Sequence, residues 1–149
     1  MIRILNIAIE PEQELKAFRG ALSNAGSNAG AIASFVGIVR DDGETEALTL
    51  SHYPGFTERQ IEAFVNQAET KWDLKASLIL HRVGRMVAGD AIVLVAAASE
   101  HRRDAFQACD YLMDKLKCEA PFWKQETVKG KTKWIEPRIQ DRQDLDRWS

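Results

Sequence analysis

Two pairs of β-type runs in this chain are separated by only a few turn residues, and that spacing decides what sort of sheet it can build. Residues 31–40 (AIASFVGIVR) combine β-branched and aromatic side chains, read as a strand buried on both faces, and end in the turn Asp41-Asp42-Gly43. A second strand over 47–53 is expected to follow as its hairpin partner. The arrangement recurs near the end, where runs at 123–128 and 132–136 flank Lys129-Gly130-Lys131. Hairpins make antiparallel neighbours. With helices interspersed irregularly among the strands, the chain is expected to be α+β with a mixed or antiparallel sheet, not a doubly wound parallel one. It contains no GxGxxG and no Walker loop.

The other elements follow from spacing and punctuation. Residues 2–9 (IRILNIAI) read as a strand, and Pro11 opens a helix carrying Leu15, Phe18 and Leu22. The small residues SNAGSNAG at 23–30 read as a flexible loop. After Pro54-Gly55, Thr57 and Gln60 are spaced as a capping box and Phe56 and Ile61 as its staple. Ile61, Phe64, Val65, Ala68 and Trp72 then form one apolar helical face. Strands over 77–83 and 91–98 are joined through Gly84 and the Gly89-Asp90 turn. Ser99 is expected to cap a long helix reaching about Lys117, with Pro121 stopping it and a polar tail over about 137–149. At 149 residues, 45% of them hydrophobic, the chain is expected to form a single domain.

Charge and cysteine usage exclude several classes of function. A net charge of -2 does not suit a protein that coats nucleic acid, which needs a large cationic excess. Cys109 and Cys118 have no CxxC spacing and the three histidines are scattered, so no metal site is expected and the thiols read as buried apolar groups. No run approaches the ~20 apolar residues of a membrane span. The N-terminal apolar run is short and turns acidic at once, so a soluble cytoplasmic protein is expected.

Projected onto a helical wheel, Ala105, Ala108, Cys109, Leu112, Met113 and Leu116 form one stripe, with Asp104, Gln107, Asp110 and Asp114 outside it and solvated. Arg102 falls inside the stripe, His101 near its border and Lys117 just past the opposite border. Taken singly, such residues are more often snorkelling helix-end side chains than components of a pocket. Ala120-Pro121-Phe122-Trp123-Lys124 changes the balance, because a proline-fixed corner can bring Lys124 back toward Lys117. Two neighbouring ammonium groups raise each other's cost of ionisation, one way of making a lysine a proton donor or nucleophile near neutral pH. Arg40, at the end of an apolar strand, could complete an anion site. Equally, Lys124 could be a surface lysine and the two aromatics part of the core.

The runs His52-Tyr53-Pro54-Gly55, His81-Arg82-Val83-Gly84, Glu100-His101-Arg102 and Ala120-Pro121-Phe122-Trp123-Lys124 occur in an order and at separations that resemble the molybdopterin synthase catalytic (large) subunit family. The likeness extends from about Gly30 to Trp134. Val36 stands where the family often has threonine, and Glu100 where it often has alanine. The resemblance implies an α/β hammerhead-like domain with an additional small antiparallel sheet, and a homodimer that binds a small ubiquitin-like sulfur carrier at each end as a heterotetramer. It implies a sulfurtransferase that needs no cofactor. The carrier's C-terminal Gly-Gly thiocarboxylate would deliver sulfur to cyclic pyranopterin monophosphate, making the dithiolene of molybdopterin in molybdenum cofactor biosynthesis. By the same resemblance Lys117 and Lys124 are the catalytic lysines, and Arg40, His101 and Arg102 bind the anionic part of the substrate. Phe122 and Trp123 are expected to border the groove for the carrier tail. Because Arg102 and Lys117 are fifteen positions apart on one expected helix, about 22 Å at the α-helical rise, each site is expected to be shared between two copies of the chain. Two other readings are a non-catalytic anion- or nucleotide-binding module and a scaffold for a ubiquitin-like partner.

Overall fold

The computed structural model describes residues 1–149. Two four-stranded sheets carry the fold. In the first, β1 (Ile2–Leu5) runs parallel to β4 (Ala76–Arg82), which is antiparallel to β6 (Ala91–Ser99), and β6 is antiparallel to the edge strand β2 (Ala31–Ile38). The second is antiparallel, in the order β5 (Gly84–Met86), β3 (Thr45–His52), β7 (Phe122–Val128), β8 (Lys131–Ile135). Four helices complete the chain: α1 (Pro11–Asn24), α2 (Phe56–Trp72), α3 (Arg102–Cys118) and α4 (Ile139–Asp146). This is the expected α+β architecture. None of the helices is long and apolar enough to cross a membrane.

Strand alternation sorts the core into layers. Ala33, Ile79, Val93, Val95 and Ala97 point to one face of the first sheet, where the apolar sides of α2 and α3 cover them. Leu78, Leu80, Leu94 and Ala96 point to the other, against Ile9 and the Leu15 and Phe18 side of α1. Val39, Leu48, Leu50 and Met86 form a smaller core in the second sheet. Gly30 is a tight approach: a Cβ there would lie 2.3 Å from the carbonyl oxygen of Glu100, so only glycine lets the start of β2 lie against the end of β6.

Several expectations are corrected. β2 and β3 are not a hairpin: β2 pairs with β6, and β3 enters the other sheet. The Asp42 carboxylate, accepting from the backbone N–H groups of Glu44 and Thr45 at 2.9 and 2.7 Å, makes the intervening segment a corner between sheets. Nor is β2 buried on both faces, since Ile32, Phe35 and Ile38 are exposed; the strand buried on both sides is β6. The α2 cap is Gly55, at φ 84°, whose N–H is accepted by Glu58; Thr57 is buried inside the first turn and Gln60 is exposed. Ser99 ends β6, leaving His101 in extended conformation as the residue before α3. The short β5 was not expected; three residues carry too little periodicity.

The polar tail folds. Although α4 has no apolar stripe, the chain end after it docks through Trp148, whose ring packs edge-on against Trp72 and Tyr111 at centroid distances of 5.7 and 5.5 Å. This covers Asp114, expected in solvent but buried, whose carboxylate accepts from Arg147 at 2.7 Å and from Trp148 Nε1 at 2.6 Å. Trp148→Ala is therefore predicted to lower the unfolding free energy by about 2–4 kcal/mol in urea titrations, with the secondary structure of the remaining chain retained.

Candidate functional site

Thr57 and Pro121 join the two halves of the site. The Thr57 hydroxyl accepts the Tyr53 N–H at 2.9 Å and donates to the Pro121 carbonyl at 3.1 Å, tying the Tyr53-Pro54-Gly55 turn to the corner before β7. From that corner β7 runs antiparallel to β3, with His52 opposite Phe122 and Leu50 opposite Lys124. Side chains alternate along the strand, so Phe122, Lys124 and Glu126 share one face and Trp123 points from the other. The Phe122 ring stacks on His81, at the end of β4, with centroids 4.0 Å apart and planes 18° apart. Trp123 is half exposed, so the two aromatics do not form one wall.

His81 is buried and its Nδ1 lies 3.1 Å from the Arg82 carbonyl oxygen. A carbonyl only accepts, so Nδ1 carries the proton in the neutral ring and Nε2 keeps a lone pair. Burial pushes the His81 pKa down to about 4, and the charges of Lys124, Lys117 and His52 push the same way against the stabilising Arg82 carbonyl. Lys124 is held below an ordinary lysine, first by burial and then by the charge of Lys117, while Asp141 and Glu126 oppose the shift. Lys117, exposed in the last turn of α3, lines a cleft of about 340 Å³ with Ala33 and Phe35 of β2, Phe106 and Met113 of α3, and Asp141 of α4. Neither lysine is engaged in an ion pair, and their charges act on one another and on the neutral His81 imidazole. Such a set can attract an anion and exchange a proton with it.

The remaining expected residues lie elsewhere on the chain. His101 and Arg102 are exposed at the start of α3, with Glu100 Oε1 3.8 Å from His101 Nε2. Arg102 is thus turned to solvent, not into the apolar stripe. Arg40 is exposed beyond the end of β2. Because β6 is antiparallel to β2 and α3 folds back over both, α3 and β2 run in the same sense. Arg40 therefore lies toward the Lys117 end of α3, while His101 and Arg102 lie at the opposite end, about 22 Å away along the helix. Sequence reasoning singled out neither His81 nor Asp141 as a site residue. The first had a signal, a histidine closing an apolar strand; the second, inside a polar tail, had none. Cys109 fits the buried-thiol reading, with burial pushing its pKa up to about 12, whereas Cys118 is only half-buried.

The depressed pKa of His81 has a consequence for stability. In the unfolded chain the imidazole takes a proton near pH 6.5, while in the folded chain it stays neutral down to about 4. Its contribution is complete above pH 6.5 and is lost as pH falls toward 4, at up to about 1.4 kcal/mol per pH unit. Urea unfolding at pH 6.5 and at pH 5 is predicted to show this loss in the wild type, and a smaller slope in His81→Gln.

The chain has clear relatives. The MoaE protein family pattern matches residues 9–119. The chain is 45% identical over 142 residues to the molybdopterin synthase catalytic subunit of Ralstonia nicotianae, covering 93% of this chain and 81% of that one. It is 43% identical over 150 residues to the protein of the same name from Pseudomonas aeruginosa, covering 99% and 97%. A solved structure of the molybdopterin biosynthesis MoaE protein from Burkholderia ambifaria superimposes with a TM-score of 0.83 at 41% identity, covering 99% of this chain and 97% of that one. The agreement of sequence and fold over nearly the whole length shows that the chain belongs to the MoaE protein family of molybdopterin synthase catalytic subunits, enzymes of molybdenum cofactor biosynthesis.

Proposed function

We propose that the chain transfers sulfur from the C-terminal thiocarboxylate of a small ubiquitin-like carrier to cyclic pyranopterin monophosphate, with Lys117 and Lys124 as the catalytic lysines. The observation that carries this reading is the electrostatic coupling of two amines free of ion pairs, one lining an open cleft and the other partly buried. Cyclic phosphate and thiocarboxylate are both anionic, so one cationic site draws in both reactants. Negative charge that develops on the phosphate as the ring opens is stabilised by cations already in place. Lys124, its pKa lowered, is the group suited to give and take a proton near neutral pH. The Phe122 side of β7 borders the path of the carrier's Gly-Gly tail, where glycine permits close backbone approach.

Arg40, His101 and Arg102 complete the site as binders of the substrate's anionic part. One chain cannot supply them all, since Arg102 and Lys117 stand at opposite ends of α3. In this reading two chains form a homodimer, His101 and Arg102 of one facing Lys117 and Lys124 of the other, with a carrier at each end. The exposed Phe35 of edge strand β2 and Phe106 of α3, both lining the cleft, support it as an apolar surface there.

Lys117→Ala and Lys124→Ala are each predicted to cut molybdopterin formation by at least about a hundredfold with saturating thiocarboxylated carrier, while melting like the wild type. Lys124→Arg should not restore full rate, because a guanidinium cannot release a proton near neutral pH. Near-normal turnover in either alanine variant would remove the lysines from the chemistry.

A further inference from the structure

Asp141 is the one buried residue of α4, 8% exposed in a helix without an apolar stripe. Part of its carboxylate is accounted for locally: it accepts the Arg138 backbone N–H at 3.1 Å and the Arg138 guanidinium at 3.1 Å, closing the first turn of the helix. The same side chain lines the cleft beside Lys117. Burial works against its ionisation, yet the Arg138 hydrogen bonds and the Lys117 charge outweigh that and keep its pKa below the usual carboxylate value. The charged surroundings of Lys124 can be read element by element. Lys117 comes from α3, Asp141 and Arg138 from the start of α4, and Glu126 from its own strand. β4 contributes the neutral His81, while β3 and β8 place the uncharged Leu50 and Ile135 opposite Lys124.

We propose that Asp141 is a positioning residue of the lysine site, a fixed counter-charge on the cleft wall that holds the two ammonium groups of Lys117 and Lys124 on one site. Its buried, guanidinium-braced carboxylate cannot swing into solvent as a surface carboxylate would. Two like charges are thereby kept close enough for one small anion to bridge. The C-terminal helix is then part of the site's electrostatics as well as a brace for α3. This inference rests on the reading that Lys117 and Lys124 act on the substrate.

The test uses pH-dependent competitive acetylation of the purified whole chain, with the Lys124 peptide quantified by mass spectrometry, in the wild type, Asp141→Asn and Asp141→Glu. Asparagine retains an acceptor oxygen for the Arg138 N–H, and Asp141→Ser provides a second neutral variant should the asparagine form not fold. Neutralising the carboxylate is expected to move the Lys124 midpoint down by about one pH unit, with glutamate returning it toward the wild type. The pH–rate limb of sulfur transfer should move with it. An unchanged midpoint in a folded neutral variant would overturn the proposal and leave Asp141 as a helix cap alone. If Lys124→Ala kept its turnover, the catalytic reading would fail, yet the midpoint would still decide whether Asp141 sets the charge of the pair.

Discussion

Everything at the site is registered by the contact between α3 and the first sheet. Ala105, Ala108 and Leu112 lie with Val95 and Ala97 in the principal core, almost wholly excluded from water, so the helix cannot slide or roll without opening cavities. That contact fixes where both ends of a 17-residue rod emerge. One end presents His101 and Arg102, the other Lys117. The separation is a property of α-helical rise, and no choice of side-chain rotamer brings the two ends to one small molecule.

In the proposed reaction the chemistry is a matter of what surrounds the Lys117 end. β7 brings Lys124 there because Thr57 and Pro121 fix the corner from which the strand starts, and the Phe122 ring seals its base against His81. A histidine in that position stays neutral for two reasons that add: it is buried, and the nearest charges are positive. Lys124 feels the same two effects, tempered by carboxylates from two elements. The site is thus a balance of like charges held by folding energy, the kind of arrangement in which a proton can be moved near neutral pH.

The first three helices and the final hairpin were legible in the sequence because they depend on local signals: the apolar face of α2, the stripe of α3, and the Lys129-Gly130 turn, where both residues adopt positive φ as a tight hairpin requires. Pairing across distance was not. Residues 31–40 and 47–53 looked like partners because they are neighbours in sequence, yet β6, a fully apolar strand wanted on both sides, takes β2 for itself. The Thr57–Pro121 bond joins residues 64 positions apart, and nothing in either motif announces the other. Lys117 and Lys124 stood out by charge placement and motif, whereas Asp114 and Asp141 were misplaced because a single tryptophan folds a segment that otherwise has the composition of a solvated tail.

The central claim is that one reaction site draws on both ends of α3, and hence on two chains. Mixed dimers test it most directly. Homodimers of Arg102→Ala and of Lys117→Ala should both form molybdopterin poorly, whereas co-refolded mixed dimers, supplied with thiocarboxylated carrier and cyclic pyranopterin monophosphate, should regain activity, because one of their two sites then has both wild-type residues. If mixed dimers are shown to be present and no activity returns, the site does not span two chains in the way this account requires.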